Sequence, residues 1–419
     1  MRADCVAGHN NSAQAGCRFC QAKLHPFIDL GVSPLCESFL TADELNAGEM
    51  FYPLDVKVCA RCWLAQLGEC VSPEKIFREY AYFSSYSEAW LKHARDYVEL
   101  VVTRFGLDGR SFVLEVASND GYLLRNFVTR DIPCLGIEPA ANVAQAAEAI
   151  GVSTRVAFFG RALAAELAAR RKADLIVGNN VLAQVPDIND FVAGLAAALA
   201  PNGVITLEFP HLLRLIEGNQ FDTIYHEHFS YFSLMAVEHI VAAHGLRVFD
   251  VEELWTHGGS LRVFCCLQGA ARAELEGVRQ VRAAEQRSHL DKLETYRAFG
   301  EKVEAVKFKL LDLLIGLKRQ GATIVGYGAP GKGNTLLNYC GIRTDFLDFT
   351  VDRNPYKHGR YLPGTRIPVH PPELIDQVRP DYVLILPWNV KDEILKQMAH
   401  IREWGGQFII PIPEPLILK

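Results

Sequence analysis

The feature that most constrains the fold is a series of short apolar segments, each ending in polar residues and followed by an alanine-rich stretch. Residues 112–117 run into Ser118-Asn119-Asp120-Gly121. Residues 134–138 end in Glu138, residues 174–180 end in Asn179 and Asn180, and residues 203–208 end in Glu208. Short apolar runs alternating with longer helical stretches read as parallel strands joined by crossover helices. The expected fold is α/β, a doubly wound sheet with ligands at the carboxyl ends of its strands. A second unit of this kind begins at residue 322, with later strands at 346–352 and 382–386.

At 419 residues, 49% of them hydrophobic, the chain has room for three domains. The boundaries expected are 1–75, a cysteine-rich module; 76–295, the first α/β domain; and 296–419, a Rossmann-like domain opened by a charged helical stretch. A net charge of −6 argues against a nucleic-acid surface. No apolar run approaches the roughly 20 residues needed to span a bilayer. Met1-Arg2-Ala3-Asp4-Cys5 lacks the apolar region of a secretory signal. These features point to a cytoplasmic enzyme with no nucleic-acid or membrane partner, and a monomer is expected.

Eleven cysteines without an export signal do not read as a disulfide framework. Four form two CxxC pairs, Cys17 with Cys20 and Cys59 with Cys62. Each CxxC turn can aim two sulfurs at one ion, so the four suit a single tetrahedral Zn²⁺. With all four positions filled by thiolates, the metal is structural rather than catalytic. Residues 52–58 alternate like a strand and lead into Cys59. The other seven cysteines are expected to be buried small hydrophobes.

Two segments carry chemistry. The turn holding Glu115, Ala117, Ser118, Asn119 and Gly121 stands where a nucleotide cofactor meets a strand-to-helix junction, without a strict G-x-G-x-x-G. Glu138 can accept from both hydroxyls of a ribose. Asn179 and Asn180 offer amides to a polar tail, and Phe158, beside Phe159, can flank a purine. The second segment is Tyr225-His226-Glu227-His228. His228 can take a proton near neutral pH, Glu227 can tune it, and Tyr225 can donate to a developing oxyanion. His226 is expected to point away. That inventory suits proton abstraction beside a carbonyl. His257, in His257-Gly258-Gly259-Ser260, either approaches substrate or caps a strand. Gly326-x-Gly328-x-x-Gly331 matches a dinucleotide fingerprint. The preferred reading is that this turn and Lys332 hold a diphosphate, with Lys357, His358 and Arg360 as a second basic group.

The first turn, the second-strand acid and the strand-end amides together resemble the S-adenosylmethionine (SAM)-dependent methyltransferases. The whole chain resembles the nucleotide-sugar C-methyltransferases of deoxysugar biosynthesis, and among them the C-3′-methylating branch of tetronitrose formation. The markers are the paired CxxC motifs, E-x-A-S-N-D-G at 115–121, Tyr225-His226-Glu227-His228, His257-Gly258-Gly259-Ser260-Leu261-Arg262 and Gly326-Tyr327-Gly328-Ala329. The resemblance implies a dTDP-linked 4-keto-6-deoxysugar substrate, in that branch one with a 3-amino group, and SAM as methyl donor. It places His228 as the base, with Tyr225, Glu227 and either Tyr80 or Tyr82 nearby. Gln184 stands where such enzymes carry histidine; it can orient a substrate but takes no proton at neutral pH. Methylation at C-5, or an NAD(P)-dependent sugar-nucleotide oxidoreductase, are the alternatives.

Overall fold

The computed structural model describes residues 16–68, 71–72, 84–86 and 88–419. Tyr80 and Tyr82 lie outside the described residues, as do Cys5 and Cys70. Three sheets organise the rest.

The N-terminal sheet holds β1 (Leu24–Ser33), β2 (Tyr52–Cys59) and β3 (Ala65–Leu67), all antiparallel. Next along the chain come β4 (Val113–Val116), β5 (Cys134–Glu138), β6 (Thr154–Val156), β7 (Ala173–Asn179) and β8 (Leu199–Pro210). These five are parallel, in the spatial order β8-β7-β4-β5-β6. The next strand, β9 (Ser230–Tyr231), does not join them. It pairs with β3 and completes the N-terminal sheet as its fourth strand. β10 (Leu246–Leu254) and β11 (Ser260–Leu267) then form a hairpin whose second strand pairs antiparallel with β8. The chain starts this seven-stranded sheet in the middle, at β4. It builds outward through β5 and β6, then returns to β7 on the other side. The crevice between the carboxyl ends of β4 and β7 is therefore the topological switch point, where ligands bind in such sheets.

A helix at Leu293–Arg319 leads to the third sheet. It buries Tyr296, Phe299, Val303, Val306, Leu310, Leu314 and Leu317, spaced by threes and fours, so one stripe faces inward. Gly321 ends it with φ +81°. There the Ala322 N–H reaches the Leu317 carbonyl and the Gly321 N–H that of Lys318, a Schellman closure. The last sheet contains β12 (Ile324–Tyr327), β13 (Thr350–Val351), β14 (Val369–His370), β15 (Tyr382–Ile385), β16 (Gln407–Ile410) and β17 (Leu416–Leu418). Its order is β14-β13-β12-β15-β16-β17, parallel except at β17. Its own switch point lies between β12 and β15.

The N-terminal module has no separate core. Phe27, Leu54 and Val56 belong to one apolar cluster with the Leu293–Arg319 helix and with the β12 and β15 residues Val325 and Val383. The Phe27 ring meets Tyr296 edge-on at 5.0 Å, and Trp63 stacks on Tyr296 at 6.1 Å. Burying such side chains is worth roughly 1.5–3 kcal/mol each, so the small sheet is held by the third domain as well as by its own strands. Among the described residues no helix is long and apolar enough to cross a membrane.

Candidate active site

The four CxxC sulfurs converge as the spacing predicts. Cys17 and Cys62 Sγ lie 3.5 Å apart, Cys20 and Cys59 3.5 Å, and Cys20 and Cys62 3.6 Å. All four lie within 4.8 Å of one another. Zn–S bonds of about 2.3 Å in a tetrahedron put sulfurs roughly 3.8 Å apart, so the set fits zinc. The Arg61 N–H donates to Cys59 Sγ at 3.3 Å, which helps hold a thiolate. Among the described residues the cluster consists of these four thiols, the ligand set of a structural site. Of the remaining described cysteines, Cys36, Cys265, Cys266 and Cys340 are buried, while Cys134 is partly exposed.

A cavity of about 510 Å³ lies where the carboxyl ends of the two doubly wound sheets face each other. That size suits a small-molecule site. One end is built by the first α/β sheet. Ala117 and Asn119 follow β4, Glu138 ends β5, Asn179 ends β7 and Asn180 follows it; all five border the cavity. Ala117, Asn119 and Asn180 have φ of +57°, +49° and +55°. Left-handed backbone at non-glycine residues is uncommon and concentrates at sites the surrounding structure holds in place. Glu138 is oriented by the chain itself, accepting from Asn119 N–H at 3.0 Å and Ala140 N–H at 2.9 Å. Each oxygen keeps a lone pair for a ligand hydroxyl. Burial pushes the Glu138 carboxyl up, and the two N–H groups oppose that shift. Asn179 Oδ1 and Asn180 Oδ1 are buried and have no hydrogen-bond partner among the described residues. A ligand that presents hydroxyls to Glu138 and donors to the two amides fits this end, as SAM does.

Four expected residues do not border the cavity. The Glu115 side chain is 1% exposed on β4 and faces the interior, where burial and the nearby Glu138 push its carboxyl well up. Ser118 is fully buried against β5; a Cβ at Gly136 would come within 2.3 Å of its Oγ. Gly121 packs against Val152. Arg360 lies at the surface, its Nε donating to the Tyr356 carbonyl at 3.1 Å. The first three shape the turn from beneath. Phe158 borders the cavity half-exposed, while Phe159 meets Phe191 edge-on.

The other end carries Tyr225, Glu227 and His228. His228 Nδ1 lies 3.2 Å from the Thr223 carbonyl. A carbonyl only accepts, so Nδ1 carries the proton and Nε2 keeps its lone pair. Burial, with His257 and Lys332 nearby, pushes His228 down to about 3, so the ring is neutral at physiological pH. The Tyr225 ring lies 4.2 Å from the imidazole, centroid to centroid. Burial raises the Tyr225 hydroxyl well above its ordinary value, which keeps it a donor. Cys36 Sγ is 3.8 Å from Glu227 Oε1. His226 turns away, its Nε2 at 3.1 Å from the Pro53 carbonyl on β2. The direct link from this motif into β9 explains how one segment serves both a sheet edge and a site.

Gln184 borders the cavity from the short turn after β7. His257 does so with φ +54°, its Nε2 buried and without a hydrogen-bond partner among the described residues. Behind it, Glu208 accepts from His93 Nε2, Thr256 Oγ1 and Arg262 Nη2 at 2.9–3.0 Å, which fixes the turn carrying His257. The third domain contributes Pro330, Gly331, Lys332 and Lys357. Its glycine turn is filled by its own chain. Asp352 Oδ2 accepts the Ala329 N–H at 2.7 Å, and Lys357 Nζ donates to the Ala329 carbonyl at 2.8 Å. A Cβ at Gly328 would sit 2.5 Å from Pro387 Cδ. That arrangement leaves no open backbone cradle for a dinucleotide pyrophosphate.

Sequence reasoning did not single out Trp90, Tyr122, Cys36 or Glu37, which also border the cavity. Trp90 and Tyr122 stack 6.4 Å apart. Tyr122 directly follows the turn at 115–121, whereas Trp90, Cys36 and Glu37 reach the site through the packing of the Glu88–Phe105 helix and of the N-terminal module.

Profiles of known families match three consecutive stretches: a zinc binding domain at 17–77, a methyltransferase domain at 90–251 and a C-methyltransferase C-terminal domain at 255–413. The C-methyltransferase NovU of Streptomyces niveus is 39% identical over 393 residues, 94% of either chain. Among solved structures, magnesium protoporphyrin IX methyltransferase of Synechocystis PCC 6803 with bound SAM aligns at 13% identity. It covers 42% of this chain and 78% of its own, with a TM-score of 0.33. A SAM-dependent methyltransferase of Clostridium acetobutylicum covers 43% and 92%, at 13% identity and a TM-score of 0.35.

Proposed function

Because the chain belongs to the SAM-dependent C-methyltransferases, the family of NovU, we propose that it methylates the carbon beside the ketone of a dTDP-linked 4-keto-6-deoxysugar. The position assigned is C-3′, on a 3-amino-2,3,6-trideoxy sugar made for a natural product. The observation that carries this reading is His228, a neutral imidazole with Nδ1 tied to the Thr223 carbonyl, in the same cavity as Glu138 and the two strand-end amides.

Bound at the Glu138 end, SAM supplies an electrophilic methyl group on a sulfonium. The chain's residues do the rest. Glu138 takes the ribose hydroxyls, and Asn179 and Asn180 the polar tail. At the other end His228 Nε2 removes the proton from the carbon beside the ketone. The Tyr225 hydroxyl donates to the oxygen as charge develops there, in a site where such a donor is worth far more than in water. Glu227 and Gln184 orient the sugar. Fixing carbon and methyl in line supplies much of the acceleration. Tyr80 or Tyr82 is proposed to reach the same sugar. Lys357 and His257 are placed against the sugar nucleotide, with Arg360 outside the cavity as a surface charge.

C-5 also neighbours the ketone, and the same base serves it, so methylation there is the alternative. The test is incubation with ¹³C-methyl SAM and a panel of dTDP-4-ketosugars, with carbon-coupled NMR of the product. The expected product carries the label on a ring carbon next to the ketone. A label on oxygen or nitrogen, or no methylated product from any member, refutes the reading.

A further inference from the structure

The third domain places in this cavity a cation that no carboxylate among the described residues contacts directly, the buried Asp222 acting on it only from beyond ion-pair distance. Lys357, its neighbour there, sits 3.5 Å from Glu37 Oε2 and donates to the Ala329 carbonyl. Lys332 differs. Its Nζ donates to the neutral Asn389 Oδ1 at 2.9 Å and lies 4.9 Å from the centre of the Trp388 ring. Among the described residues it makes no ion pair within 4.0 Å. Trp388 is anchored in turn: its Nε1–H donates to the buried Asp222 Oδ2 at 2.6 Å. The same ring packs on the turn that carries His257, since a Cβ at Gly258 would come within 2.7 Å of it. The charge of Lys332 acts on both His228 and His257. The cation therefore belongs to the end of the cavity where the proton is taken.

Resting on the reaction proposed above, we propose that Lys332 is a catalytic residue that stabilises the enolate oxygen, and that Asp222 and Trp388 are positioning residues that hold its ammonium there. In the step concerned, the C–H bond beside the ketone breaks and its proton passes to His228 Nε2. The electron pair forms the new C=C bond, and the carbonyl π pair moves onto oxygen, leaving a negative charge. That charge arises beside a fixed ammonium in a water-poor site, where opposite charges attract most strongly. Tyr225 donates a hydrogen bond to the same oxygen; Lys332 supplies the full positive charge. When the carbon attacks the methyl, the C–S bond breaks and the carbonyl is restored, so the cation is needed only between the two steps. On this account the third domain completes the catalytic site. The alternative role for Lys332, holding the diphosphate, predicts a different defect.

The experiment follows enolisation without methyl transfer. The full-length zinc-loaded enzyme is incubated in D₂O with S-adenosylhomocysteine and the dTDP-linked 3-amino-2,3,6-trideoxy-4-keto sugar, and deuterium entry beside the ketone is read by NMR. The parent enzyme should exchange; if it does not, the underlying reaction is wrong, whatever Lys332 does. For Lys332→Met, exchange at saturating sugar nucleotide should fall about 10²–10³-fold, the usual loss for one oxyanion partner. Binding of dTDP and S-adenosylhomocysteine, measured by calorimetry, should stay within about twofold of the parent. Parent-like exchange at saturation with weakened dTDP binding would overturn the proposal in favour of a diphosphate anchor. Should Lys332→Met fail to fold, Trp388→Phe keeps the ring and loses the N–H. Slower exchange with unchanged dTDP affinity then supports the positioning role, and parent-like exchange contradicts it.

Discussion

At the scale of single residues, the site's chemistry depends on burial acting on a few titrating groups. His228 is pushed down to about 3 and His257 to about 4, against an ordinary histidine near 6.5. A base that is already neutral shows no acid limb at its ordinary value. His228 should therefore add no limb to the pH profile of kcat/KM between pH 8 and about pH 5; the acid limb expected there is that of the buried Asp222, pushed up to about 6, and a limb near 6.5 that persists in Asp222→Asn would contradict His228 as the free enzyme's base. The same shifts act on stability. Between about pH 4 and 6.5 the folded chain holds fewer protons on these rings than the unfolded chain, so their contribution rises with pH through that window and is level above it. His257→Asn should flatten the slope, by at most about 1.4 kcal/mol per pH unit, as read from urea midpoints at several pH values. Tyr225→Phe should slow turnover while leaving SAM binding intact. Gln184→His should raise the rate if that position assists; an unchanged rate makes it a bystander. The Tyr-His-Glu-His cluster was legible because four such residues rarely stand together by chance. The partners Cys36 and Glu37 were not, because only the fold brings them from the N-terminal sheet to Glu227 and Lys357.

At the scale of elements, the strand ends were legible and the strand partners were not. β4, β5, β7 and β8 lie where the apolar runs put them, and their last residues face the cavity. The exceptions are physical. Alternation along β4 sends Glu115 to the interior while the positive φ of Ala117 and Asn119 turns the following backbone toward the ligand end. β9 is only two residues long, too short to leave a sequence signal, yet it closes the zinc sheet. Since β9 begins two residues after His228, chelating the zinc should lower both the melting temperature and the activity. Parallel measurements of zinc content, melting and turnover check this, and full activity in zinc-free enzyme would contradict it. Gly328 is a second point of stress. It has φ +89° and faces Pro387, so Gly328→Ala should cost about 1–3 kcal/mol, seen as a lowered denaturant midpoint.

At the scale of the whole molecule, two doubly wound sheets set their switch points against one cavity, and the zinc module buttresses the wall between them. The order of the three modules could be read from composition and motif. Their mutual dependence could not, because it lies in contacts such as Phe27 with Tyr296 and Trp388 with Asp222, which no local pattern encodes. The end proposed for the methyl donor and the end proposed for proton abstraction are built by different parts of the chain and meet only in the folded state. The most direct test of that arrangement is single-turnover methylation by His228→Asn, with SAM and the dTDP-linked 3-amino-2,3,6-trideoxy-4-keto sugar saturating and S-adenosylhomocysteine affinity measured alongside. The expected result is methylation slowed about 10²–10⁴-fold with cofactor affinity unchanged; a rate within about twofold of the parent would mean that this imidazole is not the base.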